Sequence, residues 1–244
     1  MIGPRLARLS GWVSATVWAV NVGLLAAAAA WVYLDGGAPH SVEAIAELRA
    51  GSTWSDQTTA LASAVVAAAA TAVVMLLMLF IGPPWCRSTK AWLLFTGVVC
   101  GWLGLGILWP DLYWAGQQRR VASELAAATE FARQLSTDWP TNDGELPGVG
   151  MFLAYPKGAP TVMLLIGTAE IPGTGLWFTL VERGPGGVLR FELAGDESDA
   201  WLEWRPDGSS PETYVGGLET HYRLRRDTRL SDQWVLSRYD AGPG

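Results

Sequence analysis

Ionisable side chains are missing from three long stretches near the start of the chain, residues 11–34, 58–81 and 91–109. None of these stretches contains Asp, Glu, Lys, Arg or His, and a helix needs only about 20 apolar residues to cross a bilayer. The sequence therefore predicts three transmembrane helices. Ion pathways, proton relays and voltage sensors need charged groups inside the membrane, so this chain alone is not expected to form a channel or transporter.

Histidine and cysteine are scarce, with two of each in 244 residues. The two cysteines fall at or within apolar stretches, and the two histidines, His40 and His221, lie far apart in the chain. Nucleophilic triads and zinc sites need such residues in sets, so the sequence predicts no catalytic residue, no metal and no cofactor. An enzyme would require a pocket in which carboxylates such as Glu182 and Glu203 converge.

The basic residues near the apolar stretches predict an orientation. Arg5, Arg8, Arg87 and Lys90 fall on one side of the three predicted helices, and the short loop on the other side contains only Arg49. Basic loops remain in the cytoplasm, so the N-terminus is predicted to be cytoplasmic and the C-terminal part extracytoplasmic, in the plasma (inner) membrane. The first stretch exceeds the roughly 7–15 residues of a signal-peptide core, which favours a retained anchor over a cleaved signal peptide.

Most of the charge lies after the third apolar stretch, which predicts two domains. Residues 1–110 form the predicted three-helix transmembrane domain, and residues 111–244 carry twelve basic and nineteen acidic side chains. Nucleic-acid binding is dominated by neutralisation of phosphates. The acidic balance therefore excludes nucleic acid as an expected partner, and the lipid bilayer is the expected one.

The C-terminal domain is predicted to be α+β, with one amphipathic helix packed on an antiparallel meander sheet of about six strands. Apolar residues repeat at helical spacing over residues 117–137, and residues 146–160 are rich in Gly and Pro, which predicts a loop. Short apolar or alternating segments separated by turn residues predict the strands. These segments are residues 161–168, 176–183, 188–193, 201–205, 218–226 and 233–239.

Small residues at four-residue spacing predict close helix packing, because small side chains let helices approach each other in lipid. The stripes are Ala15, Ala19, Gly23 and Ala27; Ala60, Ala64, Ala68 and Ala72; and Gly97, Gly101 and Gly104. Packing within the chain and packing on another subunit both remain open. Asn21, the one strongly polar side chain in these stretches, is expected to make an interhelical hydrogen bond.

Two sets of residues in the C-terminal domain are candidates for contact. His221, Arg223, Arg225, Arg226 and Arg229 could bind an anionic partner, or could pair with carboxylates of the domain itself. Five tryptophans either fill the core or mark a contact surface, namely Trp139, Trp177, Trp201, Trp204 and Trp234.

The sequence therefore favours a non-catalytic scaffold or accessory subunit of a membrane assembly, which acts through its extracytoplasmic domain and binds other membrane protein subunits. The alternatives are a sensor or envelope-binding module that uses the arginine-rich strand for an anionic ligand, and an enzyme with an unrecognised site. The scarcity of catalytic groups motivates the first hypothesis, together with the packing stripes and the abundant aromatic residues.

Overall fold

The computed structural model describes residues 4–35, 56–81, 89–194 and 200–242. Three helices come first in the chain: α1 Pro4–Asp35, α2 Asp56–Phe80 and α3 Thr89–Thr137. The helical part up to Gly116 forms one compact unit, and Gln117–Gly244 belongs to a second, C-terminal unit.

The prediction of three transmembrane helices is wrong. Within the described ranges only α3 is long and apolar enough to cross a membrane, whereas the apolar parts of α1 and α2 are shorter, Trp18–Leu34 and Val66–Leu77. Each of these described segments is shorter than the about 20 residues that a membrane crossing requires. The multi-pass assignment, and the orientation derived from it, lose their basis.

Helix α3 continues through Pro110, whereas the sequence predicts two separate helices, over residues 91–109 and 117–137. A proline inside a helix removes one backbone hydrogen bond and clashes with the preceding turn, yet here the residues on both sides stay helical. Residues 117–137 of α3 carry the amphipathic stripe, because residues three and four apart share a helix face. The buried members of the stripe are Val121, Ala128, Phe131, Ala132 and Leu135.

Nine strands, not about six, follow α3 in one antiparallel sheet with the order β1-β2-β3-β4-β5-β6-β9-β8-β7. They are β1 Gly144–Leu146, β2 Gly150–Tyr155, β3 Val162–Glu170, β4 Trp177–Arg183, β5 Leu189–Leu193, β6 Ala200–Trp204, β7 Tyr214–Val215, β8 His221–Arg229 and β9 Trp234–Gly242. The prediction missed β1, β2 and β7. Gly148 in the turn after β1 and Gly150 at the start of β2, which suggested a loop, both adopt positive φ. β7 has only two residues, too few for an alternating pattern.

One face of the sheet packs against the part of α3 that follows Gly116. Phe131 of the helix lies against Phe178 and Phe191, with ring centroids 6.1 and 6.0 Å apart. Phe191 also contacts Trp234, whose Nε1 donates to Thr129 Oγ1 of the helix at 2.8 Å. This helix-covered face is an ordinary apolar core.

The opposite face is partly covered without a helix, because the β7–β8 turn returns over β3 and β4. The backbone N–H of Gly217 donates to Glu182 Oε1 at 3.3 Å, and a Cβ at Gly217 would overlap Val162 Cγ2. Only glycine fits this close approach. Beneath the turn lies a second core, made of Val162, Leu180, Trp201, Tyr222 and Tyr239.

Candidate functional site

On the sheet face that the β7–β8 turn partly covers, the residue types change from one strand to the next. Directly opposite residues in neighbouring strands project to the same side of a sheet, and one such row runs from Tyr155 through Val162, Glu182 and Arg190 to Glu203. Along this row the side chains are apolar at β2 and β3 and charged at β4, β5 and β6.

The charged half is centred on Glu203, whose side chain is wholly buried. Its Oε2 accepts from Arg205 Nε and Nη2 at 3.0 and 2.7 Å, and Arg190 Nε lies 3.4 Å away as a second ion-pair partner. Its Oε1 accepts the hydroxyl of Tyr239 at 2.6 Å. Both carboxylate oxygens are thus satisfied inside the sheet, as a buried charge requires.

Glu182, the cross-strand neighbour of Arg190, is buried as well. Burial raises the pKa of the Glu182 carboxyl, and the Tyr214 hydroxyl, the Arg190 charge and the Gly217 N–H oppose that rise. Arg190 also stacks on the Tyr214 ring at 3.8 Å. Burial raises the pKa of the Tyr214 hydroxyl, and the negative charge of Glu182 raises it further. The phenol therefore stays neutral.

These carboxylates do converge, as the enzyme hypothesis required. Arg190 separates them, however, and the β7–β8 turn and Tyr214 cover Glu182. A substrate would have to displace that turn and the arginines to reach either group. Two carboxylates and two guanidinium groups therefore lie in a core position, where removal of one partner would leave a buried charge without compensation.

The apolar half of the same face is exposed. It is referred to below as the β2–β3 face and consists of Met151, Leu153, Tyr155, Leu164 and Ile166, all of them exposed. Leu153 and Leu164 are cross-strand neighbours. The prediction of a loop over residues 146–160 missed this surface, although the alternation of exposed Met151, Leu153 and Tyr155 with buried Phe152 and Ala154 has the period of a strand.

The arginine-rich set lies on β8, and all five side chains predicted as a site, His221, Arg223, Arg225, Arg226 and Arg229, are exposed. Arg225 pairs with Asp240, and Arg229 donates to the backbone oxygens of Asp232 and Gly208 at 3.1 and 3.0 Å. A bulge between Leu224 and Arg226 interrupts the alternation. At least two of the five side chains are therefore occupied by groups of the C-terminal unit itself.

The position of β8 gives these charges a further physical role. β7 pairs only with His221 and Tyr222, so in the described chain the outer edge of β8 has no strand partner from Arg223 to Arg229. Charged side chains on such an edge prevent strands of other molecules from pairing with it.

Asn21 connects all three helices within the helical unit. Its Nδ2 donates to Thr71 Oγ1 of α2 at 2.8 Å, and its Oδ1 accepts from Trp102 Nε1 of α3 at 2.9 Å. The side chain is fully buried. Thr71 in turn donates back to its own helix, to the carbonyl oxygen of Ala67 or Ala68 at 2.9 Å.

The small-residue stripes are placed differently from one another. Ala19, Gly23 and Ala27 of α1 are exposed, Ala68 and Ala72 of α2 are half-buried, and Gly97 of α3 is exposed. Gly101 packs against Leu25 of α1, where a Cβ would come within 2.6 Å of Leu25 Cδ2, whereas a Cβ at Gly104 would meet no atom within 4 Å. The side chains of Ala15, Ala60 and Ala64 lie outside the described part of the structure.

The five tryptophans divide between core and surface. Trp201, Trp204 and Trp234 are buried, and Trp139 is half-buried with its Nε1 donating to the Pro160 carbonyl at 2.8 Å. Trp177, at the start of β4, is 42% exposed. Only Trp177 among them offers an aromatic ring at the surface.

In the described ranges, no three or more His, Cys, Asp or Glu side chains are grouped so that they could hold a metal ion. The exposed apolar surface and the arginine strand remain as candidate sites for contact. Comparison of the chain with protein-family models, with curated proteins and with solved structures finds no match.

Proposed function

We propose that this protein is a membrane-attached, non-catalytic subunit that binds another membrane protein through the β2–β3 face. Helix α3 supplies the attachment, and the C-terminal unit supplies the contact surface. The observation that carries the proposal is an exposed apolar surface without charged side chains on two adjacent strands of the sheet.

The exposure of α3 supports attachment to a membrane. Only 11% of its most apolar window is buried, whereas a core helix of a soluble protein would be mostly covered. Large apolar side chains such as Leu93, Leu103 and Ile107 are exposed. An apolar surface of this kind is stable in hydrocarbon and unfavourable in water.

The β2–β3 face supports a contact function. Five neighbouring side chains without a charge are exposed on two adjacent strands, and contiguous apolar patches on soluble units mark sites of interaction. Met and Tyr, which are both present in the face, are enriched in the cores of protein interfaces.

The charge of the C-terminal unit favours a different protein over lipid or a second copy. Residues 111–244 hold nineteen acidic and twelve basic side chains, so an anionic membrane surface and an identical acidic unit would both be repelled. The partner surface that fits has an apolar centre and a basic rim. Another subunit of a membrane assembly is the partner class we infer.

An extracytoplasmic position of the C-terminal unit is part of the proposal. Arg87 and Lys90 lie within four residues of the apolar segment of α3, whereas the first basic residues after it, Arg119 and Arg120, begin ten residues beyond Trp109. The positive-inside rule then places the residues before α3 in the cytoplasm. Protease added to intact spheroplasts should then digest residues 111–244. Complete protection of these residues until the membrane is opened would contradict this orientation.

Photo-crosslinking tests the contact surface. A photoreactive residue at position 166, in the full-length protein in its native membrane, should give one discrete adduct with a membrane protein, and Leu153→Asp should abolish that adduct. The control is position 215 on β7, where Val215 is 58% exposed. Equal adducts from both positions, or adducts only with lipid or with a second copy, would contradict the proposal.

A second candidate function is binding of an anionic ligand by β8, favoured by the exposure of its arginines. Charge reversal in Arg223→Glu/Arg225→Glu should abolish binding of dextran sulfate to the purified full-length protein. The matched control reverses Arg133 and Lys157, which are exposed elsewhere on the same unit. Equal weakening by both double variants would leave only non-specific charge attraction.

A further inference from the structure

A groove with a volume of about 560 Å³ lies in the C-terminal unit between α3 and the β1 edge of the sheet. Ligand sites in proteins occupy about 300–1,000 Å³, so the groove is large enough for several side chains. Phe131 and Leu135 of α3 form one side, and Leu146, Pro147 and Pro172 form the other. Its residues are not part of the β2–β3 face.

The polar side chains that line this groove are acidic or neutral. Glu130 and Gln134 of α3 and Asp138 just after its end, each four residues from the next, line it, and none of the described lining residues is basic. Glu130 pairs with Arg133 at 3.0 Å, but both side chains are mostly exposed, and such a surface pair contributes little energy. A ligand that places an apolar group on the floor and a cation at the rim would be complementary to it.

The neighbouring strand supplies backbone hydrogen-bonding groups. β1 is the terminal strand of the sheet order and pairs only with β2 among the described strands. Its last residue, Leu146, lines the groove. A free strand edge can accept an extended peptide as an additional strand, with alternate side chains of the peptide entering the adjacent pocket.

The two ends of the sheet differ in this respect. The outer edge of β8 carries four arginines, whereas β1 contains Gly144, Glu145 and Leu146 and no basic residue. The arginines protect one edge against strand addition. The other edge lacks that protection and lies beside an apolar groove.

We propose that the groove beside β1 binds an extended peptide segment of a partner protein, in which apolar side chains alternate with Lys or Arg. The peptide adds a strand to β1, places its apolar side chains on Phe131 and Leu135, and directs its basic side chains toward Glu130 and Asp138. This site goes beyond the proposed function and does not depend on the β2–β3 face.

Fluorescence anisotropy with a labelled eight-residue peptide of alternating Leu and Lys tests the site in the full-length protein. Binding should saturate, and Gln134→Trp, which fills the groove from an exposed position, should weaken it at least tenfold. Glu130→Lys/Asp138→Lys should weaken it equally, while the control Glu212→Lys/Asp232→Lys, at exposed positions elsewhere on the unit, should leave most of the affinity. A Leu/Glu peptide should not bind.

Alternate N-methylation separates strand addition from general charge attraction. Methyl groups on one set of alternate amides should abolish binding, and methyl groups on the other set should be tolerated, because only one edge of the peptide pairs with β1. Equal effects of the two sets, equal weakening by the control charge variant, or absence of saturable binding would overturn the inference. The photo-crosslinking result at position 166 is independent of each of these outcomes.

Discussion

On the sheet face that the β7–β8 turn partly covers, charged side chains are buried in one half and apolar side chains are exposed in the other. At β4, β5 and β6 the face is charged and buried, with Glu182, Arg190 and Glu203 in one row. At β2 and β3 the same face is apolar and exposed, with Leu153 and Ile166 open to solvent. Packing requirements alone would favour the opposite arrangement. The comparison teaches that the charges are part of the core, whereas the apolar side chains of β2 and β3 are open to solvent.

The largest effect is expected at the centre of the buried half. Glu203→Gln removes the charge that Arg190 and Arg205 face, and breaking a buried ion pair costs about 3–5 kcal/mol in the free energy of unfolding. Urea denaturation followed by tryptophan fluorescence measures the loss. The control Glu212→Gln, at an exposed position, should change stability by no more than about 0.5 kcal/mol. Similar values for the two variants would mean that the buried charges are not part of the core.

The next largest loss of stability is expected in the β7–β8 turn, which covers the buried half. Gly217→Ala forces a methyl group against Val162, which is fully buried in β3 and has no room to move. Overpacking of this kind costs about 1–3 kcal/mol. Gly242→Ala is the matched control, because a Cβ there meets only the His221 carbonyl at 4.0 Å. The same chemical denaturation compares the two variants, and an equal effect would show that the turn does not lie on Val162.

The pH dependence of stability tests Glu182 directly. Burial raises the pKa of the Glu182 carboxyl above its usual 4.5, so at intermediate pH the folded state binds more protons than the unfolded chain. Stability therefore falls as pH rises through this interval, by about 1.4 kcal/mol for each unit by which the pKa is raised. Glu182→Gln cannot ionise and should become increasingly favoured over the wild type above pH 4.5, up to the raised pKa. Parallel stability curves for the two proteins from pH 4 to 8 would exclude a raised pKa.

The smallest effect on stability is expected in the exposed half. Leu153 is 45% exposed, so Leu153→Asp should change the free energy of unfolding by roughly 0.5 kcal/mol while it abolishes the crosslink made from position 166. Thermal unfolding and crosslinking on the same preparation measure both quantities. A large loss of stability would show that this side chain is part of the core and would remove the contrast between the two halves.

Parts of the fold could be predicted from the sequence because their signals are local. The stripe of residues 117–137 predicts the face that α3 turns to the sheet, and the apolar run at residues 161–168 corresponds to β3, Val162–Glu170. Helical and strand periodicities need only neighbouring residues. The helix end expected at Pro110 was wrong because tertiary context can override a local breaker, as it does in α3.

The rest of the fold depends on contacts between residues far apart in the chain. Glu182 is buried because the turn that contains Gly217, 35 positions later, covers it. The residues next to Glu182 in the sequence do not predict this contact. The β2–β3 face is exposed because the turn ends over Val162 and does not reach Leu164 or Leu153. Its apolar composition is visible in the sequence, but its exposure is a property of the assembled sheet.

Asn21 shows how one amide can set the rotational phase of a helical bundle. Its Nδ2 donates to Thr71 of α2, and its Oδ1 accepts from Trp102 of α3. Rotation of any one of the three helices about its axis would therefore leave a polar atom without a partner in apolar surroundings. Close-packed small side chains tolerate such turning, whereas a hydrogen bond with fixed direction does not. Among the described residues, Asn21 therefore fixes the rotation of the three helices relative to one another at one level of the bundle.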